Sequence, residues 1–238
     1  HAEQIKRIWK ESLGRYGVRK VWQQLKREGY VIARCTVARL MQKLGIQGVW
    51  RGKNKQTTRS RDDQKRADDL VKRNFNADHP DQLWVADFTY IQTHSGWVYT
   101  AFIIDVFSRA IVGWKVSTRM NTDMVLDALE QALHDRGMPK NVIHHSDRGV
   151  QYLSIRYTNR LEAANLRASV GTTGDSYDNA LAETVNGLYK TEVIEYLKAD
   201  WQGLADVQLA TLNWVDWFNK ERVHSALGYV SPFEFEAM

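Results

Sequence analysis

The order of the segments after Pro80 constrains the fold of this chain most. β-Branched and aromatic runs predict three strands in close succession, and two further strands then alternate with helical segments. The predicted strands are 83–92, 97–107, 110–117, 141–145 and 166–172, and the predicted helices are 121–136, 156–165, 178–196 and 201–220. The order βββ-α-β-α-β-α predicts an α/β domain over residues 77–238, with a mixed sheet between helices on both faces.

Residues 1–46 instead predict a small all-α segment. Apolar residues recur at helical spacing in 2–13, 18–28 and 37–44, and Gly29 and Gly45 stop the second and third helices. Two short helices across a tight turn in a basic setting predict a helix-turn-helix segment that binds DNA. Its outward face supplies cations and a hydroxyl suited to phosphates and base edges: Arg34, Thr36, Arg39 and Lys43. The alternative is a three-helix bundle with a solvated basic face.

Residues 47–76 form a predicted basic linker with almost no apolar periodicity. Arg51 and Lys53 are among its many cations, and we expect both to contact DNA. Such a segment can follow a phosphate backbone and become ordered on binding. A solvated tether is the alternative.

The charge of the chain divides sharply at the end of this linker. Residues 1–76 contain 20 Lys and Arg against seven Asp and Glu, whereas residues 77–238 contain 13 against 21. A basic first third indicates a polyanion partner, and nucleic acid is favoured because no amphipathic membrane anchor accompanies the charge. The single cysteine excludes an internal disulfide and a cysteine zinc cluster, which is typical of a cytoplasmic protein.

Three acidic residues are candidate functional groups because of their positions in the predicted strands and helix. Asp87 lies within an apolar strand, Asp147 ends the short strand NVIHHSD, and Glu183 lies near the start of a helix. On that helix, Leu181, Val185 and Leu188 share one side, and Glu183, Gly187 and Lys190 share the other, with Asn186 flanking it. If only the apolar side packs, Glu183 points to solvent; if the other side crosses the strand ends, it faces Asp87 and Asp147.

Three acids on two adjacent strand ends and one helix are suited to a pair of Mg²⁺ ions, and Mn²⁺ is expected to substitute. Mg²⁺ prefers hard oxygen ligands and is commonly shared between carboxylates and phosphates. Two such ions can activate an attacking oxygen and stabilise a leaving one in phosphoryl transfer. Asp87, Asp147 and Glu183 are therefore candidate metal-binding catalytic acids. Taken singly, each could be a surface charge or a helix cap.

The motifs around these acids resemble a known family. Asp87 lies in WVADFTY, Asp147 lies in HSDRGVQY, and 35 residues separate Asp147 from Glu183 in SYDNALAETVNGLYK. This pattern resembles the DDE catalytic core of retroviral integrases and bacterial insertion-sequence transposases. The stretches YGVRKVWQQLKREGY and WFNKERVHSALGYVSPFEFE further resemble the OrfB-type transposases of elements with two overlapping reading frames.

The resemblance covers nearly the whole chain and implies an RNase H-like core with metal-dependent DNA cleavage and strand transfer. It implies that Asp87, Asp147 and Glu183 bind the metal ions and that Lys190 contacts the DNA end near the scissile phosphate. The implied partners are double-stranded DNA, both the terminal repeats and the target, and the product of an upstream reading frame. Joining two DNA ends implies at least a dimer on DNA. The resemblance also implies a protein of the bacterial cytoplasm that is associated with the nucleoid when it binds DNA.

Several neighbouring residues allow two interpretations. We expect Arg148 to contact a phosphate, and we expect His144 and His145 to pack within the sheet. Arg222 is predicted to line the DNA path, although a role in capping the last helix is equally compatible with its position.

Two other functions share this set of residues. An RNase H-like nuclease would cut DNA without joining it, and a DNA-binding regulator would retain the fold without catalysis. A glycosidase with paired carboxylates explains neither the third acid nor the basic arm.

Overall fold

The computed structural model describes residues 1–50, 71, 76–147, 149–170, 180–197 and 200–238, and a five-stranded mixed sheet lies at its centre. The strands are β1 (Leu83–Thr93), β2 (Gly96–Asp105), β3 (Ile111–Ser117), β4 (Ile143–Ser146) and β5 (Arg167–Val170). Their order across the sheet is β3-β2-β1-β4-β5, with the first three antiparallel and β4 and β5 added in parallel to β1. The predicted α/β class and mixed sheet are confirmed.

Eight α-helices are present among the described residues. They are α1 (Ala2–Glu11), α2 (Val18–Arg27), α3 (Arg34–Lys43), α4 (Thr122–Asp135), α5 (Ile155–Ala163), α6 (Ala180–Tyr189), α7 (Leu204–Lys220) and α8 (Pro232–Glu236). A π-helical segment, Lys190–Glu195, continues α6, and a 3₁₀ turn, Ser225–Leu227, follows α7. No helix in these ranges is long and apolar enough to cross a bilayer.

Alternate residues of the central strands bury their side chains in two separate cores. Ala101 and Ile103 of β2 pack with α4 and α5 on one face, whereas Phe102 and Ile104 pack with α6 and α7 on the other. This alternation follows from the two-residue period of a strand. It confirms the expectation of helices on both faces of the sheet.

The N-terminal helices share the second of these cores with the sheet. Ile5, Val21 and Met41 are buried in one continuous cluster with Phe102 and Trp217. The Tyr16 hydroxyl accepts a hydrogen bond from the backbone N–H of Val223 at 2.8 Å, and the Tyr16 ring lies 5.9 Å from that of Trp217. The helical segment is therefore docked firmly on the sheet domain.

Two predicted helices differ in detail from the observed ones. The helix expected over 178–196 changes to π geometry at Lys190, where the Thr191 hydroxyl donates to the carbonyl of Gly187 at 2.8 Å. Such hydroxyl-to-backbone bonds compete with the regular ladder of a helix. The helix expected from 201 begins at Leu204, because the fully extended backbone at Gly203 precedes it.

The predicted linker falls mostly outside the described residues. Arg51, Lys53 and Arg148 also lie outside them, as do residues 171–179 before the described start of α6. The division into 1–46, 47–76 and 77–238 stays a prediction.

Candidate active site

Asp87 and Asp147 lie side by side near the middle of the sheet. The parallel pairing of β1 with β4 ends at Ala86 and Ser146, so each acid comes one residue after the last paired position. Neighbouring strands lie about 4.8 Å apart, which places the two carboxylates at the same level on adjacent strands. The predicted association of these two acids is thus explained by strand register.

The Asp87 carboxylate is held by two hydrogen bonds. The backbone N–H of Phe88 donates to Oδ1 at 2.8 Å, and Nδ2 of Asn186 on α6 donates to Oδ2 at 2.7 Å. Burial, followed by the nearby charge of Asp147, raises the pKa of Asp87 to about 7, and the two hydrogen bonds oppose this rise. At neutral pH the site therefore resists accumulating a second negative charge.

Asp147 begins the turn that follows β4. Its Oδ1 accepts the backbone N–H of Gly149 at 3.0 Å, while burial raises the pKa of the carboxyl group. The buried ring of Tyr152 lies beneath this region, 6.2 Å from the ring of Phe88. The apolar surroundings explain why the charged form of Asp147 is disfavoured.

Glu183 lies in the first described turn of α6 and is exposed. Its pKa is raised first by desolvation and then by the charge of Asp147, so it shares an electrostatic environment with the two aspartates. In the part of the chain that the structure describes, no three His, Cys, Asp or Glu side chains are close enough together to hold a metal ion. The convergence of all three acids on one ion stays a prediction.

The buried face of α6 lies between the two sides that the sequence left open. Ala182, Val185, Asn186 and Tyr189 are buried, whereas Leu181 and Leu188 are only partly so. The helix is rotated because Asn186 turns inward to bond Asp87 and Tyr189 packs against Phe102. Sequence reasoning placed Asn186 beside the site without giving it a role.

Lys190 begins the π-helical segment directly after α6. Its Nζ lies 4.8 Å from the centroid of the Tyr90 ring on β1, and its side chain is half-buried. This placement is consistent with the expected cation at the end of the helix that carries Glu183.

Arg222 is a correction to the predicted DNA contacts. Its side chain is buried, and its Nη2 atom lies 2.6 Å from Oε1 of Glu192 in the π-helical segment. Trp214 donates to the same carboxylate at 3.1 Å. The guanidinium is occupied inside the protein and is not available to a DNA backbone.

The proposed recognition helix does present its cations to solvent. Arg34, Arg39 and Lys43 are exposed on α3, and Thr36 is partly exposed and accepts a hydrogen bond from Arg39 at 3.3 Å. His144 and His145, in contrast, are buried in β4, where His144 pairs with the Tyr157 hydroxyl at 2.9 Å.

Comparison with known proteins decides the family. The chain is 57% identical over 234 residues to the transposase for insertion sequence element IS629 of Shigella sonnei, covering 98% of this chain and 78% of that protein. The chain belongs to the insertion-sequence transposases. A putative transposase for IS986/IS6110 of Mycobacterium tuberculosis is 52% identical over 240 residues, covering 99% of this transposase and 86% of that protein.

Family models divide this transposase into matched regions. An HTH-like domain matches residues 1–54, and two integrase core domain models match residues 77–176 and 164–232. The magnesium-bound catalytic core domain of HTLV-2 integrase superposes with a TM-score of 0.54 at 18% identity, covering 68% of this chain and 99% of that one. The RNase H-like integrase fold implied by the sequence motifs is confirmed.

Proposed function

We propose that this transposase cleaves DNA at the ends of its insertion sequence and joins the freed 3′-hydroxyl groups to target DNA. The observation that carries the proposal is the placement of Asp87 and Asp147 at adjacent positions on two paired parallel strands, with Glu183 within electrostatic reach. The names of its relatives, which are insertion-sequence transposases, support the same conclusion.

The residues present fit a divalent cation. The adjacent carboxylates of Asp87 and Asp147 supply the donors, Glu183 is the third acid of the proposed set, and the buried Oδ1 of Asn186 has no hydrogen-bond partner among the described residues. Hard oxygen donors of this kind suit Mg²⁺ or Mn²⁺ rather than a soft metal. When bound, two such ions would activate an attacking oxygen and stabilise the leaving oxygen of the phosphodiester.

The protein's own contribution is to orient the carboxylates and the DNA. The amides of Phe88, Asn186 and Gly149 fix the oxygens of the two aspartates, which limits the motion of these ligands. In cleavage a water oxygen bonds to phosphorus and the 3′ oxygen leaves. In joining that 3′-hydroxyl attacks a target phosphodiester and frees a new 3′-hydroxyl. Both displacements need the same arrangement of acids.

Products decide between this proposal and its alternatives. The full chain is incubated with Mg²⁺ and DNA that carries the element's own ends, and cut and joined strands are separated by size. Joined products are expected. A nuclease would give only cut DNA, and a catalytically inactive regulator would give neither product. Two ends joined in one reaction also require at least a dimer on DNA, and crosslinking of the complex tests this.

We expect the exposed cations of α3 to supply much of the affinity for DNA. Changing Arg34, Arg39 and Lys43 together to Ala should lower the slope of log affinity against log salt by about 0.9 for each phosphate that is no longer neutralised. Titration of labelled duplex DNA at several salt concentrations measures the slope. Deleting residues 1–76 is less informative, because it would also remove Tyr16 and its neighbours from the shared core.

A matched control replaces three exposed cations elsewhere on the surface. Lys115, Arg156 and Lys220 pair with nearby carboxylates on the sheet domain. Their combined Ala variant should keep the wild-type slope. Equal slopes for the two triple variants would contradict a DNA-binding role for α3.

Lys190→Ala should weaken binding of the element's end by about tenfold and slow its cleavage. The cation follows the helix of Glu183, where it can neutralise a phosphate beside the cut, and tenfold corresponds to about 1.4 kcal/mol. Thermal unfolding and metal titration of the variant should match those of the wild type. Lys115→Ala serves as control, and unchanged end binding by Lys190→Ala would return Lys190 to an ordinary surface charge.

A further inference from the structure

Two large aromatic side chains are exposed on the β1–β2 hairpin. Tyr90 is 42% exposed and Trp97 is 49% exposed, and their ring centroids lie 5.4 Å apart at 80°. The register pairs Tyr90 with Tyr99 and Trp97 with Gln92, so the two rings are diagonal neighbours on one face of the hairpin. An exposed aromatic cluster of this kind indicates a binding surface.

A cation completes the cluster. The 4.8 Å contact of Lys190 Nζ with the Tyr90 ring brings a positive charge to the edge of the exposed aromatic surface. An apolar protein partner that covered the rings would also desolvate this charge without supplying an opposite one. A ligand with flat, polarisable faces and negative charges satisfies both features.

The cluster lies close to the acidic residues. Tyr90 is three residues from Asp87, which is about 10 Å along a strand. By the alternation of a strand, the two side chains lie on opposite faces of β1. Among the described residues, β4 pairs only with Leu83–Ala86, so the rest of β1 has an open edge on that side. The Lys190 side chain connects the two faces across this edge.

The turn of the hairpin is hydrogen-bonded to the segment that precedes α7. Backbone N–H groups of His94 and Ser95 donate to the carbonyls of Trp201 and Gln202 at 2.9 and 3.0 Å. The Ser95 hydroxyl donates to Gln202 as well, at 2.6 Å, and the His94 ring contacts the Asp200 carboxylate. Such anchoring fixes the rings in advance of binding and lowers the entropy lost when a ligand is bound.

We infer that Tyr90 and Trp97, with Lys190 beside them, form a stacking site for an unpaired nucleobase of the DNA strand next to the phosphate that is cut. This inference rests on the proposed function, because it assumes that DNA lies over the acidic residues. A base stacks on an aromatic ring whatever its identity, and the lysine neutralises the adjoining phosphate. Bases inside a duplex present no free face, so the ligand is a frayed or single-stranded base.

The test measures binding in the absence of metal, which separates it from catalysis. The full chain is titrated with a duplex that carries the element's end plus a short unpaired extension, and with the same duplex made blunt. The wild type should bind the extended duplex more tightly, and a fluorescent adenine analogue in the extension should be quenched. Stacking of one base is worth about 1–3 kcal/mol, which corresponds to roughly 5- to 150-fold in affinity.

Variants distinguish stacking from packing. Tyr90→Leu and Trp97→Leu keep apolar bulk on the hairpin and remove the aromatic face, so each should lose at least about fivefold in affinity for the extended duplex, and the quenching. Tyr90→Phe and Trp97→Phe should retain both. Phe233→Leu, at an exposed ring on α8, is the matched control and should behave as wild type.

Three results would overturn the inference. They are equal wild-type affinity for extended and blunt duplexes, an equal loss for both duplexes in the Leu variants, and full affinity of the Leu variants for the extended duplex. Loss of self-association together with the third result would indicate an interface between copies of the chain. If the wild type cuts and joins DNA when the third result is found, only the stacking site fails. If the wild type neither cuts nor binds end DNA, the proposed function itself fails.

Discussion

Asp87→Asn, Asp147→Asn and Glu183→Gln should each reduce cleavage and joining by at least about a thousandfold. Removing a metal ligand is expected to cost several kcal/mol of transition-state stabilisation, and each 1.4 kcal/mol is a factor of ten in rate. Both reactions should fall together because both use the same acids. Cleavage of end-containing DNA and strand transfer, assayed separately in Mg²⁺, give the two rates.

The matched control for these variants is Asp216→Asn. Asp216 is an exposed acid on α7 that pairs with Lys220, so its loss should leave both rates unchanged. All four variants should fold normally and bind end DNA like the wild type. Wild-type strand transfer by any one of the three site variants would remove that residue from the proposed catalytic set.

The Asp87 variant also carries a pH-dependent expectation for metal-free protein. Because the folded-state pKa of Asp87 is raised to about 7 from an ordinary value of 3.8, folding disfavours the charged carboxylate. The wild type is therefore penalised above pH 7, and the penalty disappears as the pH falls toward 4. Asp87→Asn should be more stable than wild type by about 1–3 kcal/mol at pH 8 and lose this advantage at pH 4 to 5. Denaturant unfolding in the presence of a chelator measures the difference.

The second large effect is expected at the buried ion pair of Glu192 and Arg222. Burial acts to raise the pKa of Glu192, but the charge and hydrogen bonds of Arg222 outweigh it and lower the pKa. The two side chains are 9% and 6% exposed. Glu192→Gln or Arg222→Gln should lower the free energy of unfolding by about 3–5 kcal/mol, because the remaining charge stays buried without its partner.

The surface pair of Lys220 and Asp216 provides the comparison. Its side chains are 58% and 55% exposed, and Lys220→Gln should change stability by less than about 1 kcal/mol. Urea unfolding of the variants compares the two pairs directly. If Glu192→Gln were as mild as Lys220→Gln, the buried pair would not stabilise the fold in the way described.

Local sequence patterns were sufficient for much of the fold. The three successive strands and the positions of Asp87 and Asp147 follow from β-branched runs and strand ends, which depend on neighbouring residues alone. The same criterion cannot separate a catalytic acid from a structural one. Asp105 is also an acid at the end of an apolar strand, yet its carboxylate accepts hydrogen bonds from Ser108 and Asp81 and organises a turn.

The errors arose where distant residues determine orientation. Arg222 resembles a solvent-facing cation after a helix, because its partner Glu192 is 30 positions away and the two side chains meet only on folding. The inward turn of Asn186 depends on Asp87, which is 99 positions away. Apolar periodicity alone left two sides of α6 open for packing and could not show that the Asn186 amide would turn inward to a carboxylate.

The docking of the N-terminal helices affects the distance along DNA between the sequence that is recognised and the phosphate that is cut. The Arg15 side chain donates to the backbone carbonyl of Glu192 at 3.1 Å, and its guanidinium lies 4.6 Å from the Trp217 ring, so α1–α3 are held against the π-helical segment that follows α6. If α3 rests on the duplex, the number of base pairs between the recognised sequence and the cut is fixed by the protein's interior. Lengthening the covalent connection between the two regions would then leave that spacing unchanged. Removing the contacts of Arg15 would make the spacing variable.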